Sequence, residues 1–464
     1  MHELTVKEVL EATQGILLQG DPQTIIKEIS TDSRKVQSGE LFIALKGERF
    51  DGHAFIGEVT ARNVAAVLVS EDVRIQKDVS IIKVDDTLIA LGAVSRFYRR
   101  KFAIPVVAIT GSNGKTTTKD MLAAVLGAEW PIIKTEANFN NEIGLPLTLL
   151  KITGQTKAAV VEMGMRGLGQ IHTLAEIAEP NIGVITNVGL THLELLGSQA
   201  NIAKAKSELI AALPAGGLAI LNGDDEYVRP MSLVTNAKAI YYGIEGDDLD
   251  YRAVEIEHCS GGSTFKVISP KESFRLTLPV PGVHNILNAL AAIAVAKELG
   301  LDDEAIQKGL ANLQVSDKRL NIIKKNGYLI IDDTYNASPT SMKASLDVLS
   351  KTEGCRKIAV LSDMLELGPS AGEIHRGIGE YAGKAGIDRL FACGELAQEY
   401  IAGMNSIMKD KGEYFSSKQA LIFRIKSYIR PGDVILIKGS RGMKMEEVVA
   451  ALPDDVVSEE RAEV

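Results

Sequence analysis

Cysteine is scarce in this sequence. The 464 residues include three cysteines, Cys259, Cys355 and Cys393, which lie far apart and form no C-x-x-C pair. Small proteins stabilised by several disulfide bonds, and structural zinc sites, depend on closely spaced cysteines. We therefore expect neither a disulfide framework nor a structural zinc site in this chain.

Long apolar runs and an excess of positive charge are missing as well. No uninterrupted apolar run approaches the roughly 20 residues that a membrane-spanning helix needs, and the first residues show no basic segment followed by an apolar one. A net charge of −9 argues against non-specific binding to nucleic acid or to an anionic membrane surface. We expect a cytoplasmic protein that neither spans a membrane nor binds nucleic acid.

Length and patterning indicate an α/β protein of several domains. A chain of 464 residues exceeds what one hydrophobic core usually serves. Short β-branched runs alternate with segments of helical period, which is typical of α/β folds with largely parallel sheets. We expect a small N-terminal α/β domain over 1–83, a central nucleotide-binding α/β domain over 84–312, a Rossmann-like C-terminal domain over 313–454 and a frayed charged tail over 455–464.

Individual elements can be predicted within this frame. Helices are expected after Thr5, after Asp85–Thr87 and from Gly282 through Lys297. The segment 251–278 alternates more loosely and suggests a β insertion. Apolar strands are predicted at 41–45, 65–69, 81–84, 106–109, 158–163, 182–188, 218–221, 329–331, 358–361, 389–392 and 434–437. Because ligands bind at the carboxyl ends of parallel strands, the loops after these strands are where functional residues are sought.

The strongest local signal is the strand, glycine-rich loop and helix over 106–127. Glycines let a backbone fold around phosphate oxygens, and Lys115 supplies a mobile cation. Thr116 or Thr117 can offer a hydroxyl to Mg²⁺. The strict G-x-x-x-x-G-K-[ST] pattern is not met, because Ile109 stands where its first glycine belongs. The alternative is an ordinary glycine-rich turn with a solvated lysine.

Three further polar residues follow predicted strands or lie on the next helix. Glu162 ends one strand, His192 follows another, and Lys206 lies on the helix after it. A hard cation beside a transferring phosphate needs oxygen ligands, and an imidazole can complete its coordination. Each residue alone could be a helix cap, a hydrogen-bonded loop histidine or a solvated lysine. Their joint placement behind a phosphate loop favours a functional role.

Together these residues resemble the Mur ligase family, whose members add amino acids or a dipeptide to a nucleotide-linked cell-wall precursor. The family's phosphate loop reads T-G-[ST]-N-G-K-[ST], which 110–116 matches, and this accounts for Ile109. The stretches 44–53, 332–339 and 362–368 resemble the member that adds a dipeptide, although Ser362 replaces a usual glycine. The D-N-P-R signature of the diaminopimelate- or lysine-adding member is absent.

The resemblance implies an ATP-dependent carboxylate–amine ligase of peptidoglycan precursor synthesis that acts as a monomer. Its cofactors would be ATP and Mg²⁺, and its small-molecule substrates UDP-N-acetylmuramoyl-tripeptide and D-alanyl-D-alanine. Whether the tripeptide ends in diaminopimelate or lysine stays open. The N-terminal domain would bind the UDP precursor and the C-terminal domain the incoming dipeptide.

The resemblance also implies roles for single residues. Lys115 would contact the β- and γ-phosphates, and Thr116 would ligate one Mg²⁺ together with Glu162. His192 would ligate a second Mg²⁺, held in part by Lys206 as a carbamate; a plain ammonium would repel the ion. Arg319 would reach the γ-phosphate from the third domain. Lys204 is the competing assignment for the carbamylated lysine.

The remaining implied contacts fall into two groups. Those to ATP would come from Gly111, Ser112, Asn113, Gly114, Thr117, Asn285, Asn288 and Asp333. Those to the substrates would come from Ser30, Asp32, Ser33, Arg34, Asn138, Asn140, Asn141, Asn336 and Ser338. The loop 438–441 would lie near the dipeptide, unless it is only a surface connection. For Asn285, helix capping is an alternative or additional role.

Three other functions compete with this interpretation. A folylpolyglutamate synthase-like ligase would use the same centre on another acid, but it should lack an N-terminal uridine-binding domain. A phosphate-loop ATPase coupled to partner binding would release phosphate without an acceptor amine. A catalytically silent nucleotide-binding scaffold would not need Lys115, Glu162, His192 and Lys206.

Overall fold

The computed structural model describes residues 1–47, 50–76, 78–246, 248–259, 261–313 and 318–455. Glu48, Arg49 and Asp317, which belong to stretches that carry the family resemblance, therefore lie outside the described residues, as do the expected tail residues 456–464. Asp455 forms a bridge with Asn326. Within the described ranges, no helix is both long and apolar enough to cross a membrane.

The N-terminal part is built on a five-stranded sheet of order β2-β7-β6-β5-β4, in which β4 to β7 are parallel and β2 is antiparallel to β7. As predicted, Thr5 caps the first helix, and it does so in a capping box with Glu8. A short antiparallel pair, β1 with β3, lies apart from the main sheet. The elements are β1 (Leu4–Thr5), α1 (Val6–Thr13), β2 (Ile16–Gln19), β3 (Ile25–Ile26), β4 (Ile29–Ser30), β5 (Leu41–Ile43), α2 (Ile56–Thr60), β6 (Ala66–Val69) and β7 (Ser80–Lys83).

Helix α3 (Thr87–Arg99) connects this part to the next one. Asp86 caps it, as predicted, by accepting hydrogen bonds from the backbone N–H groups of Leu88 and Ile89. The buried Tyr98 accepts a hydrogen bond from the backbone N–H of His2 and donates one to the carbonyl of Ile152. The helix therefore joins the first two parts of the chain.

The middle part holds a nine-stranded sheet of order β16-β15-β14-β13-β12-β11-β8-β10-β9. The strands from β9 to β14 are parallel, and β15 and β16 add an antiparallel extension, which confirms the predicted β insertion. The elements are β8 (Val106–Thr110), α4 (Lys115–Gly127), β9 (Ile132–Lys134), α5 (Gly144–Leu149), β10 (Ala158–Glu162), α6 (Gln170–Ala178), β11 (Ile182–Ile185), α7 (Leu193–Leu196), α8 (Gln199–Ala211), β12 (Leu218–Asn222), β13 (Lys238–Gly243), β14 (Tyr251–Cys259), β15 (Gly262–Ile268), β16 (Ser273–Leu278), α9 (Val283–Glu298) and α10 (Asp303–Ala311).

The C-terminal part contains a six-stranded sheet of order β17-β18-β22-β19-β20-β21, parallel except for β17. Helices cover both faces of this sheet, and two hydrophobic clusters lie between the layers. The elements are β17 (Asn321–Lys325), β18 (Tyr328–Asp333), α11 (Pro339–Lys351), β19 (Arg356–Ser362), α12 (Ala371–Lys384), β20 (Arg389–Cys393), α13 (Ala397–Ile407), β21 (Gly412–Phe415), α14 (Lys418–Tyr428), β22 (Asp433–Lys438) and α15 (Glu446–Ala451).

The predicted α/β fold with three sheet-based units is confirmed, with differences in detail. The strand expected over 182–188 ends at Ile185, because the side chains of Thr186 and Asn187 bind the main chain of the neighbouring loop instead. Eight strands were not predicted from the sequence, namely β1, β2, β3, β4, β9, β13, β17 and β21. All eight have two to six residues, and all of them except β13 lie at the edge of a sheet.

Candidate active site

The glycine-rich loop between β8 and α4 is shaped by its two glycines. Gly111 and Gly114 have φ angles of +152° and +81°, the region that favours glycine. A Cβ on Gly114 would lie 2.3 Å from Asn288 Oδ1, so α9 packs directly against the loop. The loop therefore exposes main-chain N–H groups at the start of α4, where an anion is favoured.

Neighbouring strand ends hold this loop in place. The backbone N–H of Asn113 donates to Asn187 Oδ1 over 2.9 Å, and its carbonyl accepts from Thr186 Oγ1 over 2.6 Å and from Asn187 Nδ2 over 3.0 Å. Sequence reasoning missed Thr186 and Asn187 as loop supports. Their signal was available, because both directly follow an apolar strand that was predicted to run past them.

Lys115 lies at the first turn of α4 and points back over the loop. Its Nζ donates to the carbonyl oxygens of Gly111, over 2.7 Å, and of Ser112, over 3.3 Å. Burial lowers the pKa of Lys115, and the nearby Arg319 guanidinium lowers it further, while Glu162 opposes the shift. The lysine is still partly accessible from the cavity, so its ammonium can reach a bound phosphate.

Thr116, Glu162 and Asn140 form a connected set of oxygen and amide groups beside the loop. Thr116 Oγ1 donates to one carboxylate oxygen of Glu162 over 2.8 Å, and Asn140 Nδ2 donates to the other, also over 2.8 Å. Only 3% of the Glu162 surface is exposed. A buried carboxylate next to a hydroxyl, at the edge of a phosphate loop, is a donor set that suits Mg²⁺.

His192 and Lys206 lie on the other side of the loop. The Nδ1 atom of His192 is 2.7 Å from Glu366 Oε2, which belongs to the C-terminal part of the chain. Burial lowers the pKa of His192, and the carboxylate of Glu366 opposes this while Lys115 and Lys206 add to it. These four groups are therefore close enough to influence one another electrostatically.

Lys206 is the least compensated charge of the site. It is 2% exposed on α8, and no described residue forms a hydrogen bond or ion pair with its Nζ. Burial holds the pKa of Lys206 well below its usual range, and Lys115 lowers it further. As an ammonium ion, this residue would repel a neighbouring cation. Lys204, the competing assignment, does not line the cavity.

The start of α9 forms the side of the cavity next to Gly114. Asn285 and Asn288 are each 5% exposed, and Thr118 Oγ1 donates to Asn288 Oδ1 over 3.2 Å. The capping alternative for Asn285 is wrong, because Gly282 is the cap residue and Asn285 lies inside the helix, with its Nδ2 donating to the Pro281 carbonyl over 2.7 Å. Both amides line the cavity.

The C-terminal part supplies a second group of residues to this cavity. The Arg319 guanidinium lies over the Tyr335 ring, 4.1 Å from its centroid. Asp333 ends β18, where its carboxylate forms an ion pair with Lys438 and accepts a hydrogen bond from Ser345 over 2.6 Å. The carboxylate expected to hold the ribose is therefore paired with Lys438, the last residue of β22 and the first of the loop expected near the dipeptide.

Asn336 and Ser338 occupy the loop between β18 and α11. Ser338 caps α11, and its Oγ also donates to Asn113 Oδ1 over 2.7 Å, which links the third sheet's loop to the phosphate loop. The Asn336 carbonyl accepts from Lys438 Nζ over 3.0 Å, and its side-chain oxygen accepts from the Arg441 backbone N–H over 3.4 Å. The loop 438–441 thus touches the residues expected near the dipeptide.

The residues assigned to the nucleotide-linked precursor fall in two places. Asn138, Asn140 and Asn141 line the cavity, and Asn141 Oδ1 also accepts from the backbone N–H of Gly144 over 2.9 Å at the start of α5. The stretch 30–34, with Ser30 and Ser33, lies in the N-terminal part and does not line this cavity.

Within that N-terminal stretch, Asp32 and Arg34 form a two-pronged ion pair, with both N–O distances at 2.9 Å. The Arg34 side chain lowers the pKa of Asp32 to about 2. The stretch therefore presents an ordered, charged turn beside β4.

One cavity of about 710 Å³ brings most of these groups together. It lies between the middle and C-terminal sheets, at the carboxyl ends of β8, β10, β18 and β22, where parallel sheets bind ligands. The predicted residues that line it are Gly111, Ser112, Asn113, Gly114, Lys115, Thr116, Thr117, Asn138, Asn140, Asn141, Glu162, His192, Lys206, Asn285, Asn288, Arg319, Asp333, Asn336 and Ser338.

Comparisons with known proteins agree with this geometry. Residues 25–124 match the catalytic domain of the Mur ligase family, 109–296 match the Mur ligase middle domain, and 318–441 match the glutamate ligase domain of Mur ligases. The chain is 41% identical to the UDP-N-acetylmuramoyl-tripeptide–D-alanyl-D-alanine ligase of Bacillus subtilis, covering 99% of this chain and 100% of the relative. Identity to the Escherichia coli enzyme of the same name is 38%, over 98% and 99% of the two chains.

Solved structures show the same likeness in three dimensions. MurF from Acinetobacter baumannii superposes with a TM-score of 0.90 at 36% identity, over 97% of this chain and 99% of that one. MurF from Thermotoga maritima, in complex with ADP, gives 0.82 at 29% identity, over 91% and 96%. The chain therefore belongs to the Mur ligase family of ATP-dependent ligases.

Proposed function

We propose that this protein joins D-alanyl-D-alanine to UDP-N-acetylmuramoyl-tripeptide in an ATP-dependent reaction that passes through an acyl phosphate. The observation that carries the proposal is the single cavity in which Lys115, Glu162, His192 and Lys206 of the middle part face Arg319 of the C-terminal part. The full-length relatives that bear this enzyme name support the choice of substrates.

The reaction has two steps. A carboxylate oxygen of the tripeptide attacks the γ-phosphorus of ATP, the bond to the β-phosphate oxygen breaks, and ADP leaves. The amine of D-alanyl-D-alanine then attacks the acyl carbon, and the tetrahedral intermediate releases phosphate with formation of the amide. The amine loses a proton in the process. Because carboxylate and triphosphate repel each other, the site must compensate charge while it holds the reacting atoms in line.

The protein's own residues can meet both requirements. Lys115 would exchange its two carbonyl partners in the loop for oxygens of the β- and γ-phosphates. Arg319, held against Tyr335, would reach the γ-phosphate from the C-terminal part of the chain. The loop N–H groups from Gly111 to Thr117 would bind the remaining phosphate oxygens.

Mg²⁺ ions would reduce the repulsion between the phosphates and the carboxylate and polarise the transferring group. Thr116 and Glu162 fit the first ion, because hydroxyl and carboxylate oxygens are adjacent and buried there. His192 and Lys206 fit a second one only if Lys206 carries a carboxylate in place of its ammonium. We propose that Lys206 is carbamylated, since its amine is buried, has a lowered pKa and has no described partner.

The other predicted contacts complete the binding of the substrates. Asn285 and Asn288 would meet the adenine, and Asp333 would hold the ribose, sharing its carboxylate with Lys438. Asn138, Asn140 and Asn141 would contact the sugar and diphosphate of the precursor. The turn that contains Ser30, Asp32, Ser33 and Arg34 would bind uridine. The dipeptide would lie near Asn336, Ser338 and the loop 438–441.

The domain limits 1–83, 84–312 and 313–454 belong to this proposal. With these limits, the N-terminal domain would bind uridine, the central domain ATP and the C-terminal domain the dipeptide. Every proposed residue of the reacting centre comes from one chain, so we propose a monomer. We also propose that it acts in the cytoplasm, where ATP is supplied.

Phosphate release measured against a panel of UDP-muramoyl peptides, with and without D-alanyl-D-alanine, tests the function. We expect release only with a tripeptide and the dipeptide together. The panel includes tripeptides that end in diaminopimelate and in lysine, which decides between the two. Release that needs no acceptor amine would instead favour an ATPase coupled to partner binding, and activity on folate substrates would favour a folylpolyglutamate synthase-like ligase.

The variant Lys115→Ala tests the centre itself. Loss of such a charged contact commonly lowers the rate by about 100-fold or more, so turnover should nearly vanish while circular dichroism and the thermal transition stay unchanged. Lys119→Ala is not a suitable comparison because that lysine is buried; the exposed Lys204→Ala serves as the control. Near-wild-type ligation by Lys115→Ala would contradict the assignment.

A further inference from the structure

The loop between β19 and α12 is fixed to its surroundings at several points. The carboxylate of Asp363 accepts two backbone N–H groups that follow β20, over 2.7 and 3.2 Å. The backbone N–H of Met364 donates to the buried His375 ring over 3.0 Å, and that of Leu365 donates to Ser440 Oγ over 2.9 Å. Because three successive residues are tied down, the next residue, Glu366, projects from a rigid base.

Glu366 points across the cavity towards the middle part of the chain. Its carboxylate lies 2.7 Å from His192 Nδ1, and its carbonyl accepts from the Glu194 backbone N–H over 3.3 Å. Both Glu366 and His192 have left-handed backbones, with φ angles of +63° and +64°. Such conformations in residues other than glycine persist where the surroundings enforce them, often at functional sites.

Four carboxylates line the described part of the cavity. Two of them already bind other side chains, and a third lies in an exposed turn. Glu162 uses both oxygens for Thr116 and Asn140. Asp333 is paired with Lys438 and also binds Ser345. Glu142 lies on the exposed turn before α5, in the loop assigned to the precursor. Glu366 is the fourth; its side chain is 44% exposed, and among the described residues its carboxylate is paired with His192 alone.

The incoming amine needs an anionic partner at this point. At neutral pH a peptide amino group is largely an ammonium ion, and the cavity around His192 already contains the cationic side chains of Lys115 and Arg319. An ammonium ion would be repelled from this wall unless a carboxylate compensates it. Glu366 offers such a group, and Leu365 beside it contacts the loop 438–441, which lies next to Asn336.

From this geometry we propose that Glu366 is the binding residue for the ammonium group of the incoming dipeptide and places that nitrogen next to the acyl phosphate. The inference rests on the function proposed above and adds an amine subsite to it. The dipeptide's ammonium group replaces His192 as the partner of the Glu366 carboxylate, and it gives one proton to solvent before the free amine attacks the acyl carbon. His192 is then released to face the phosphate side of the cavity.

The test uses the full-length variant Glu366→Gln, which keeps the shape of the side chain and removes its charge. Hydrogen bonds to charged groups commonly contribute about 1.5–3 kcal/mol, so we expect the KM for D-alanyl-D-alanine to rise about 10- to 100-fold. The KM values for ATP and the UDP-muramoyl tripeptide should remain within twofold or so of the wild type. If Glu366 forms an amine subsite, the KM should rise for D-alanyl-D-alanine alone.

A second readout separates amine binding from formation of the acyl phosphate. Hydroxylamine, a nucleophile that is neutral at slightly alkaline pH, can replace the dipeptide. Its nitrogen attacks the acyl carbon, and the bond to phosphate breaks. A proton goes to solvent, and the products are hydroxamate and phosphate. Because this nucleophile carries no ammonium charge, Glu366→Gln should give hydroxamate at the wild-type rate. Glu373→Gln, an exposed carboxylate in the first turn of α12 outside the cavity, is the matched control, and it should alter neither reaction.

The outcomes are distinct. An unchanged acceptor KM in Glu366→Gln would overturn the proposal. So would an equal loss of hydroxamate formation, since that result would mean that Glu366 acts through the orientation of His192. If the wild-type protein itself formed hydroxamate but did not use D-alanyl-D-alanine, the proposed function would fail in its acceptor. If it formed no hydroxamate with any muramoyl peptide, the acyl phosphate chemistry itself would be wrong.

Discussion

At the scale of single residues, Lys206 shows most clearly how burial and chemistry are linked. Its amine is nearly inaccessible, its pKa is lowered by burial, and Lys115 adds to the shift. A neutral amine is the form that reacts with carbon dioxide, so the same burial that disfavours an ammonium favours a carbamate. The carbamate would in turn be stabilised by a neighbouring cation.

We therefore predict that ligase activity depends on bicarbonate. Activity should fall in buffer depleted of carbon dioxide and return when bicarbonate is added, because the carboxylate on Lys206 is lost and regained. Lys206→Arg, which keeps a positive charge but cannot form the lysine carbamate, should be inactive at any bicarbonate concentration. Full activity of that variant, or of the wild type without carbon dioxide, would rule out the modification as a requirement.

A second prediction at this scale concerns Gly114, the cap residue of α4. Gly114→Ala places a methyl group 2.3 Å from Asn288 Oδ1 in a left-handed conformation, which by itself costs about 1–2 kcal/mol. We expect at least tenfold weaker ATP binding by calorimetry, roughly the consequence of losing 1.4 kcal/mol. Gly127→Ala is the control, since its methyl group would meet nothing closer than 3.9 Å. ATP affinity should be unaffected there.

At the scale of elements, the cap residue Asp86 sets the start of α3, the helix that packs between the N-terminal and middle parts of the chain. Asp86 accepts hydrogen bonds of 2.7 and 3.0 Å from the backbone N–H groups of Leu88 and Ile89. The helix buries Leu91 and Val94 between the first two parts of the chain, and its Tyr98 contacts both. The cap thus fixes where the connecting helix begins.

Asp86→Ala should consequently lower stability by about 1 kcal/mol, the usual effect of losing an N-cap. Differential scanning calorimetry would show the shift in the transition that contains the N-terminal and middle parts, since a multidomain chain need not unfold in one step. Asp85→Ala provides the comparison, because Asp85 is exposed and does not cap the helix. An identical shift in both variants would mean that charge, and not capping, is responsible.

The same elements show what the sequence could and could not predict. The cap at Asp86, the strand before Gly111 and the helix from Gly282 depend on neighbours in sequence, so local patterns were sufficient. The eight missed strands are short, and their pairing depends on partners elsewhere along the chain. The contact between His192 and Glu366 joins loops that follow strands of two different sheets, and no local pattern encodes it.

At the scale of the whole molecule, the site is divided between the middle and C-terminal sheets. Ser338 reaches Asn113 over 2.7 Å, and the loop with Glu366 reaches His192 and the backbone of Glu194. Lys115 of the middle part and Arg319 of the C-terminal part line the same cavity. Their positive charges repel each other across it, so the closed arrangement gains most when an anionic triphosphate lies between them.

We predict that ATP and the UDP-muramoyl tripeptide shift the chain towards the closed arrangement. Small-angle scattering should show a smaller radius of gyration with both ligands than without them, because only the closed form lets both walls contact the phosphates. Lys115→Ala should reduce this change, whereas Lys204→Ala should not, since Lys204 lies outside the cavity. Identical scattering curves for the wild type with and without both ligands would show that closure does not depend on the substrates.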